Sequence, residues 1–118
     1  MFITVELSED IPKNTAVSYD SASQKWAIAP DTSQLIGVVK DSAYQDEESG
    51  NWYAPVGISG LDCFMIANQT IPNEGGFMHV VGGRVYVDNS SMGCGTVSPL
   101  NVNKTTREAG SLVLVHLR

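Results

Sequence analysis

Two imidazoles, His79 and His116, and two thiols, Cys63 and Cys94, are the side chains of this 118-residue chain best suited to acid–base, nucleophilic or soft-metal chemistry. A nucleophilic centre needs a nucleophile, a base and an orienting acid within reach of one another. Gly57-Ile58-Ser59-Gly60 has the residue types of a nucleophile turn without its spacing, so Ser59 reads as a turn residue. Zinc needs four ligands with tight local pairs, and no two of Cys63, His79, Cys94 and His116 stand that close in sequence. Both histidines read as satisfied or interface residues, and both cysteines as buried free thiols. The acidic run Asp46-Glu47-Glu48-Ser49-Gly50-Asn51 lacks the alternating carboxylates and closing Glu of a calcium loop and reads as a solvated loop. Nothing places two carboxylates across a cleft for glycoside hydrolysis. Trp26, Trp52, Tyr44 and Tyr53 are of a type that stacks on sugars, although aromatic residues more often fill cores and interfaces. No catalytic residue, no metal site and no cofactor is expected, and the chain is read as non-enzymatic.

Charge narrows the partners. Asp and Glu number 13 against 7 Lys and Arg, and no basic cluster interrupts the acidic balance. Phosphate backbones and anionic bilayers require such a cluster, so neither nucleic acid nor membrane is an expected partner. No run approaches the roughly 20 apolar residues that cross a bilayer. Met1 to Leu7 alternates like a strand and carries no basic leader, so a secretory signal is not expected and the chain is read as folding in the cytoplasm where it is made.

The elements that must position these residues are strands. Helical periodicity is almost absent, and alternating apolar residues are punctuated by Gly, Pro, Asn, Asp and Ser. Strands are expected at Phe2 to Leu7, Ala16 to Tyr19, Lys25 to Ala29, Gln34 to Lys40, Trp52 to Ser59, Cys63 to Ala67, Phe77 to Val81, Arg84 to Asp88, around Gly95-Thr96-Val97, and at Leu112 to Leu117. Gly37 inside its strand suggests a bulge or a close backbone approach. Gly82-Gly83 is the strongest hairpin signal, since the turns that match strand twist need positive φ. Leu112 to Leu117 is apolar on both faces, which requires a central place or a partner's cover. The reading is all-β: one domain over residues 1–118, a β-barrel or β-sandwich of about nine to ten short, mainly antiparallel strands.

An internal echo runs through this pattern. Ile3 to Pro12 aligns with Cys63 to Pro72, both ending in Ile-Pro, at an offset of about sixty. The strands that follow, Gly37-Val38-Val39 and Gly95-Thr96-Val97 among them, recur in the same order. Halves 1–60 and 61–118 are therefore read either as a duplicated unit or as chance recurrence of strand-starting Ile-Pro pairs. Two polar stretches, Asp41 to Asn51 and Pro99 to Gly110, are long enough to serve as binding loops.

Ile11-Pro12-Lys13-Asn14-Thr15-Ala16-Val17, Trp26-Ala27-Ile28-Ala29, Leu35-Ile36-Gly37-Val38-Val39 and Val56-Gly57-Ile58-Ser59-Gly60 together resemble the small capsid decoration, or cement, proteins of tailed phages. The resemblance covers mainly residues 1–60. It implies a virion structural protein on the capsid's outer surface, made in the host cytoplasm, that binds the major capsid protein and copies of itself as a homotrimer or a dimer. The terminal strands are the candidate attachment edges, with Phe2, Ile3, Val5, Leu112, Leu114, His116 and Arg118 the residues expected at a capsid or subunit interface. The alternative is a tail or fibre accessory or a carbohydrate-binding module, for which Trp52, Tyr53, Asn103 and Arg107 are the candidate surface residues.

Overall fold

A computed structural model describes residues 2–99 and 107–118. Its regular structure is all strand: β1 (Phe2–Leu7), β2 (Ala16–Asp20), β3 (Lys25–Ile28), β4 (Gly37–Val39), β5 (Tyr44–Gln45), β6 (Trp52–Ile58), β7 (Leu61–Ile66), β8 (Gly76–Val81), β9 (Arg84–Val87), β10 (Gly95–Val97) and β11 (Leu112–Leu117). The described residues thus hold eleven strands, against the nine to ten expected. The addition is β5, a two-residue strand inside the stretch read as a long polar loop. It is too short to show alternation and forms because the edge of β6 offers it partners, Tyr44↔Tyr53 and Gln45↔Trp52.

The strands make two sheets. The first, six-stranded, runs β1-β3-β2-β4-β6-β5, and the second, five-stranded, runs β7-β11-β10-β8-β9. Each curls back on itself. In the first, β1 lies antiparallel to β6 from Phe2↔Gly57 to Leu7↔Trp52 and meets β3 through the single parallel pair Leu7↔Trp26. In the second, β7 lies antiparallel to β11, and Ala67, just past its end, bridges Val85 of β9 in parallel.

The register of one sheet repeats in the other. Phe2↔Gly57 corresponds to Asp62↔His116, Val17↔Gly37 to Met78↔Gly95, and Gly37↔Ile58 to Gly95↔Leu117. Hydrogen bonds outside the ladders follow suit. Ser8 N donates to Trp26 O at 2.8 Å and Asn68 N to Val85 O at 2.7 Å; Lys40 N donates to Pro55 O and Ser98 N to Leu114 O, both at 2.9 Å. Asn14 and Gly75, each three residues beyond its Ile of the Ile-Pro pair or one further, hold left-handed φ values of 69° and 68°. β5 has no counterpart among the described residues of the second sheet.

Burial explains which strands alternate. One apolar cluster fills the first curl with Leu7, Ile11, Val17, Val39, Ala54 and Val56. The other fills the second curl with Cys63, Met65, Ala67, Ile71, Met78, Val80, Val85, Val97, Val113, Val115 and Leu117, and also takes in Ala16, Ala29, Ile36 and Val38. β2 and β4 therefore lie between the two cores: Ala16 and Val38 face one, Val17 and Val39 the other, which is why Gly37–Val39 is buried throughout. Fully burying a Val, Leu, Ile or Met side chain contributes roughly 1.5–3 kcal/mol.

The halves are tied by backbone bonds at the Gly82-Gly83 hairpin tip, whose residues have φ of 55° and 80°. Ala16 N donates to Gly83 O and Gly83 N to Ala29 O, both at 2.8 Å, and Gly82 N to Pro30 O at 3.2 Å. The hairpin is thus also the joint. The close approach expected at Gly37 is present: a methyl there would meet Val56 Cγ1 at 2.6 Å and the Trp26 ring at 3.2 Å.

Candidate interaction surface

β11 lies between β7 and β10 within its sheet, yet one of its two apolar faces stays open. Its pleat turns Val113, Val115 and Leu117 into the core and Leu112, Leu114 and His116 outward. β7 alternates against it, with Cys63 and Met65 inward and Asp62, Phe64 and Ile66 outward. Register then aligns Ile66 with Leu112, Phe64 with Leu114 and Asp62 with His116 across the outer face.

The result is an apolar patch closed at one end by a hydrogen-bonded polar couple. Phe64 is 52% exposed and Leu112 53%, both large apolar side chains held on a regular sheet. His116 Nδ1 lies 2.8 Å from Asp62 Oδ1, with both side chains open to solvent. Beyond His116, a shallow groove of about 270 Å³ is lined by Phe77, Met92, Gly95, Thr96, His116 and Arg118. Arg118 Nη2 donates to Gly93 O at 2.6 Å, fixing the chain's end beside the groove.

Three of the expected interface residues, Leu112, Leu114 and His116, therefore share one surface, with Arg118 at its margin. The N-terminal candidates lie on the other sheet. Phe2 is 56% exposed, with Lys40 Nζ 5.7 Å from its ring centre, and Ile3 is partly exposed beside it. Val5 turns inward and packs on the first core cluster.

The loop candidates separate as well. Trp52 packs inward against the first core, while its neighbour Tyr53 points outward and stacks on Tyr44. Arg107 is half buried and serves its own chain: its guanidinium donates to the carbonyls of Ser98, at 2.6 Å, and Pro72. Asn103 lies outside the described residues. Phe64, Phe77 and Met92 were missed by sequence reasoning; the signal for Phe64 was present, since Phe64 and Ile66 make β7 apolar on its second face just as Leu112 and Leu114 do β11.

No family model, no curated protein and no solved structure matches this chain. Function must therefore be argued from the surfaces themselves.

The chemistry-bearing residues stay apart or are turned inward. His79 is buried, stacked on Tyr86 with ring centres 5.5 Å apart, and its Nε2 lies 2.9 Å from Asp88 O, a carbonyl that can only accept a hydrogen bond from it. Cys63 and Cys94 are free thiols. Burial pushes the Cys63 thiol above its ordinary value and that of Cys94 up to about 11, so both stay protonated and weakly nucleophilic at neutral pH. Among the described residues, no three His, Cys, Asp or Glu side chains gather as metal ligands. The acidic loop closes on itself: Asp46 Oδ2 accepts from Ser49 N at 3.0 Å and from Ser49 Oγ at 2.7 Å.

Proposed function

We propose that this chain is a non-catalytic virion structural protein that decorates the outer surface of a tailed-phage capsid. It docks through the outer face of β7 and β11 onto the major capsid protein, with copies of itself as neighbours in a homotrimer, or a dimer, at a capsid symmetry axis. The scaffold is a duplicated unit of about sixty residues, and its repeated register supports that reading.

The observation that carries the proposal is the exposure of Phe64 and Leu112, with Ile66 and Leu114 beside them, on the outer face of the paired strands β7 and β11. Exposed apolar side chains scattered singly need no explanation, whereas a contiguous group on rigid strands marks an interaction surface. A protein that binds only the assembled shell stabilises that shell by mass action. The acidic surface, at formal charge −6, suits a component that must stay off the packaged nucleic acid.

The test is copy number, measured by quantitative mass spectrometry on particles purified from the natural source. A count in simple proportion to the major capsid protein is expected. A handful of copies per particle, or none, would overturn the decoration reading.

A further inference from the structure

The outer face of the first sheet carries a groove of different chemistry. β5 pairs with the edge of β6 so that Tyr44 lies opposite Tyr53. Their rings stack with centres 5.9 Å apart and planes 29° from parallel. Tyr44 is 55% exposed, so the pair presents one aromatic face to solvent and braces it from behind with the other ring. Thr4 of β1 and Asp46, which follows β5, complete a groove of about 490 Å³ with the two tyrosines.

Each lining group has a role that its neighbours leave open. Asp46 is held in place through one carboxylate oxygen by Ser49, and the backbone of its loop is closed by Asp46 N donating to Asn51 O and Gly50 N to Asp46 O, both at 2.8 Å. The two bonds from Ser49 also hold the Asp46 carboxyl below the usual carboxylate range, so it is an acceptor at neutral pH. The tyrosine and threonine hydroxyls donate and accept. Ring face, anionic acceptor and hydroxyls within one shallow groove are what a sugar requires: its C–H face lies on the aromatic ring and its hydroxyls are read by acceptors and donors around it.

We infer that this groove is a binding site for a neutral saccharide, seated on Tyr44 and read by Asp46, Thr4 and the tyrosine hydroxyls. Neutrality follows from the surroundings. Glu6 is the cross-strand partner of Tyr53, and Glu47 and Glu48 follow Asp46, so uronate or phosphorylated sugars are repelled. The site is independent of shell attachment, because the docking face belongs to the second sheet and this groove to the first. It needs no residue of the inward-facing Trp52.

The experiment is an amide chemical-shift titration of the full chain with maltotetraose, cellotetraose and tetra-N-acetylchitotetraose, with tetragalacturonate as the anionic control. At least one neutral sugar is expected to shift Thr4, Tyr44, Asp46 and Tyr53 as a group and to leave Phe64 and Leu114 unmoved. Tyr44→Ala is expected to weaken that binding about tenfold, and Tyr44→Phe, which keeps the stacking face, to weaken it far less. No response to any neutral sugar, shifts centred elsewhere, stronger binding of the anionic control, or equal affinity of Tyr44→Ala would each overturn the inference.

Discussion

Cys94 shows how burial alone decides whether a reactive residue type does chemistry. Its thiol is pushed up to about 11, and that of the buried Cys63 is also raised, chiefly because the core desolvates the thiolate. Both stay neutral in the folded chain at pH values where the unfolded chain's thiols have begun to ionise. Below 9.0, the ordinary thiol value, the two states bind the same protons and this term is fully present. As pH rises from 9.0 towards 11 the unfolded state binds fewer protons, so stability falls. Urea midpoints measured at about pH 8 and about pH 10 should drop for the native chain and drop less for Cys94→Ala. Aromatic-disulfide labelling at about pH 8 should be at least about tenfold slower in the folded than in the unfolded chain; equal rates would refute the burial. The sequence suggested inert thiols from cysteine number and compartment. The stronger reason, that each sits among apolar side chains drawn from distant strands, depends on contacts no local spacing records.

Strands show where local pattern suffices. β1 and β11 were legible to the residue, and β8 and β9 nearly so, because alternation and the Gly82-Gly83 turn are properties of neighbouring residues. β5 was not, since a two-residue strand exists only through the edge it pairs with. β4 contracted from the expected Gln34 to Lys40 to Gly37–Val39, because its ladders reach only as far as β2 and β6 accept it. Two left-handed glycines give an element-scale prediction. At Gly75, with φ of 68°, a methyl group would press on the backbone of Val97, Ser98 and Pro99, whereas Gly60, at 66°, has open space around it. Gly60→Ala should cost about 1–2 kcal/mol, the price of a left-handed conformation alone. Gly75→Ala should cost more by at least about 1 kcal/mol, read as the difference in denaturation free energy. Equal costs would mean that the Gly75 turn does not approach β10 as described.

At the scale of the molecule, two curled sheets share one joint and present different outer faces. Where the second sheet shows Phe64 opposite Leu114, the corresponding strands of the first show Thr4 opposite Pro55, with Tyr44 laid over the neighbouring Tyr53. The paired Ile-Pro segments mark where the recurring register begins in each sheet, whereas nothing in them marks this divergence of surfaces. Which face of a strand meets solvent depends on the partner sheet, and the sequence left a barrel and a sandwich open for that reason. Both terminal strands are candidate attachment edges by sequence; β1 and β11 lie in different sheets, and β11, with β7, carries a contiguous apolar face.

Docking of that face onto the shell, as proposed, is read by rebinding to particles stripped of this protein. Phe64→Asp places a charge at the centre of the patch without touching either core, while Thr4→Asp places the same charge at the corresponding position of the first sheet. Phe64→Asp is expected to weaken saturation of the particles by at least about tenfold, and Thr4→Asp to bind like the native chain. Undiminished binding by Phe64→Asp, or equal losses in the two variants, would contradict it.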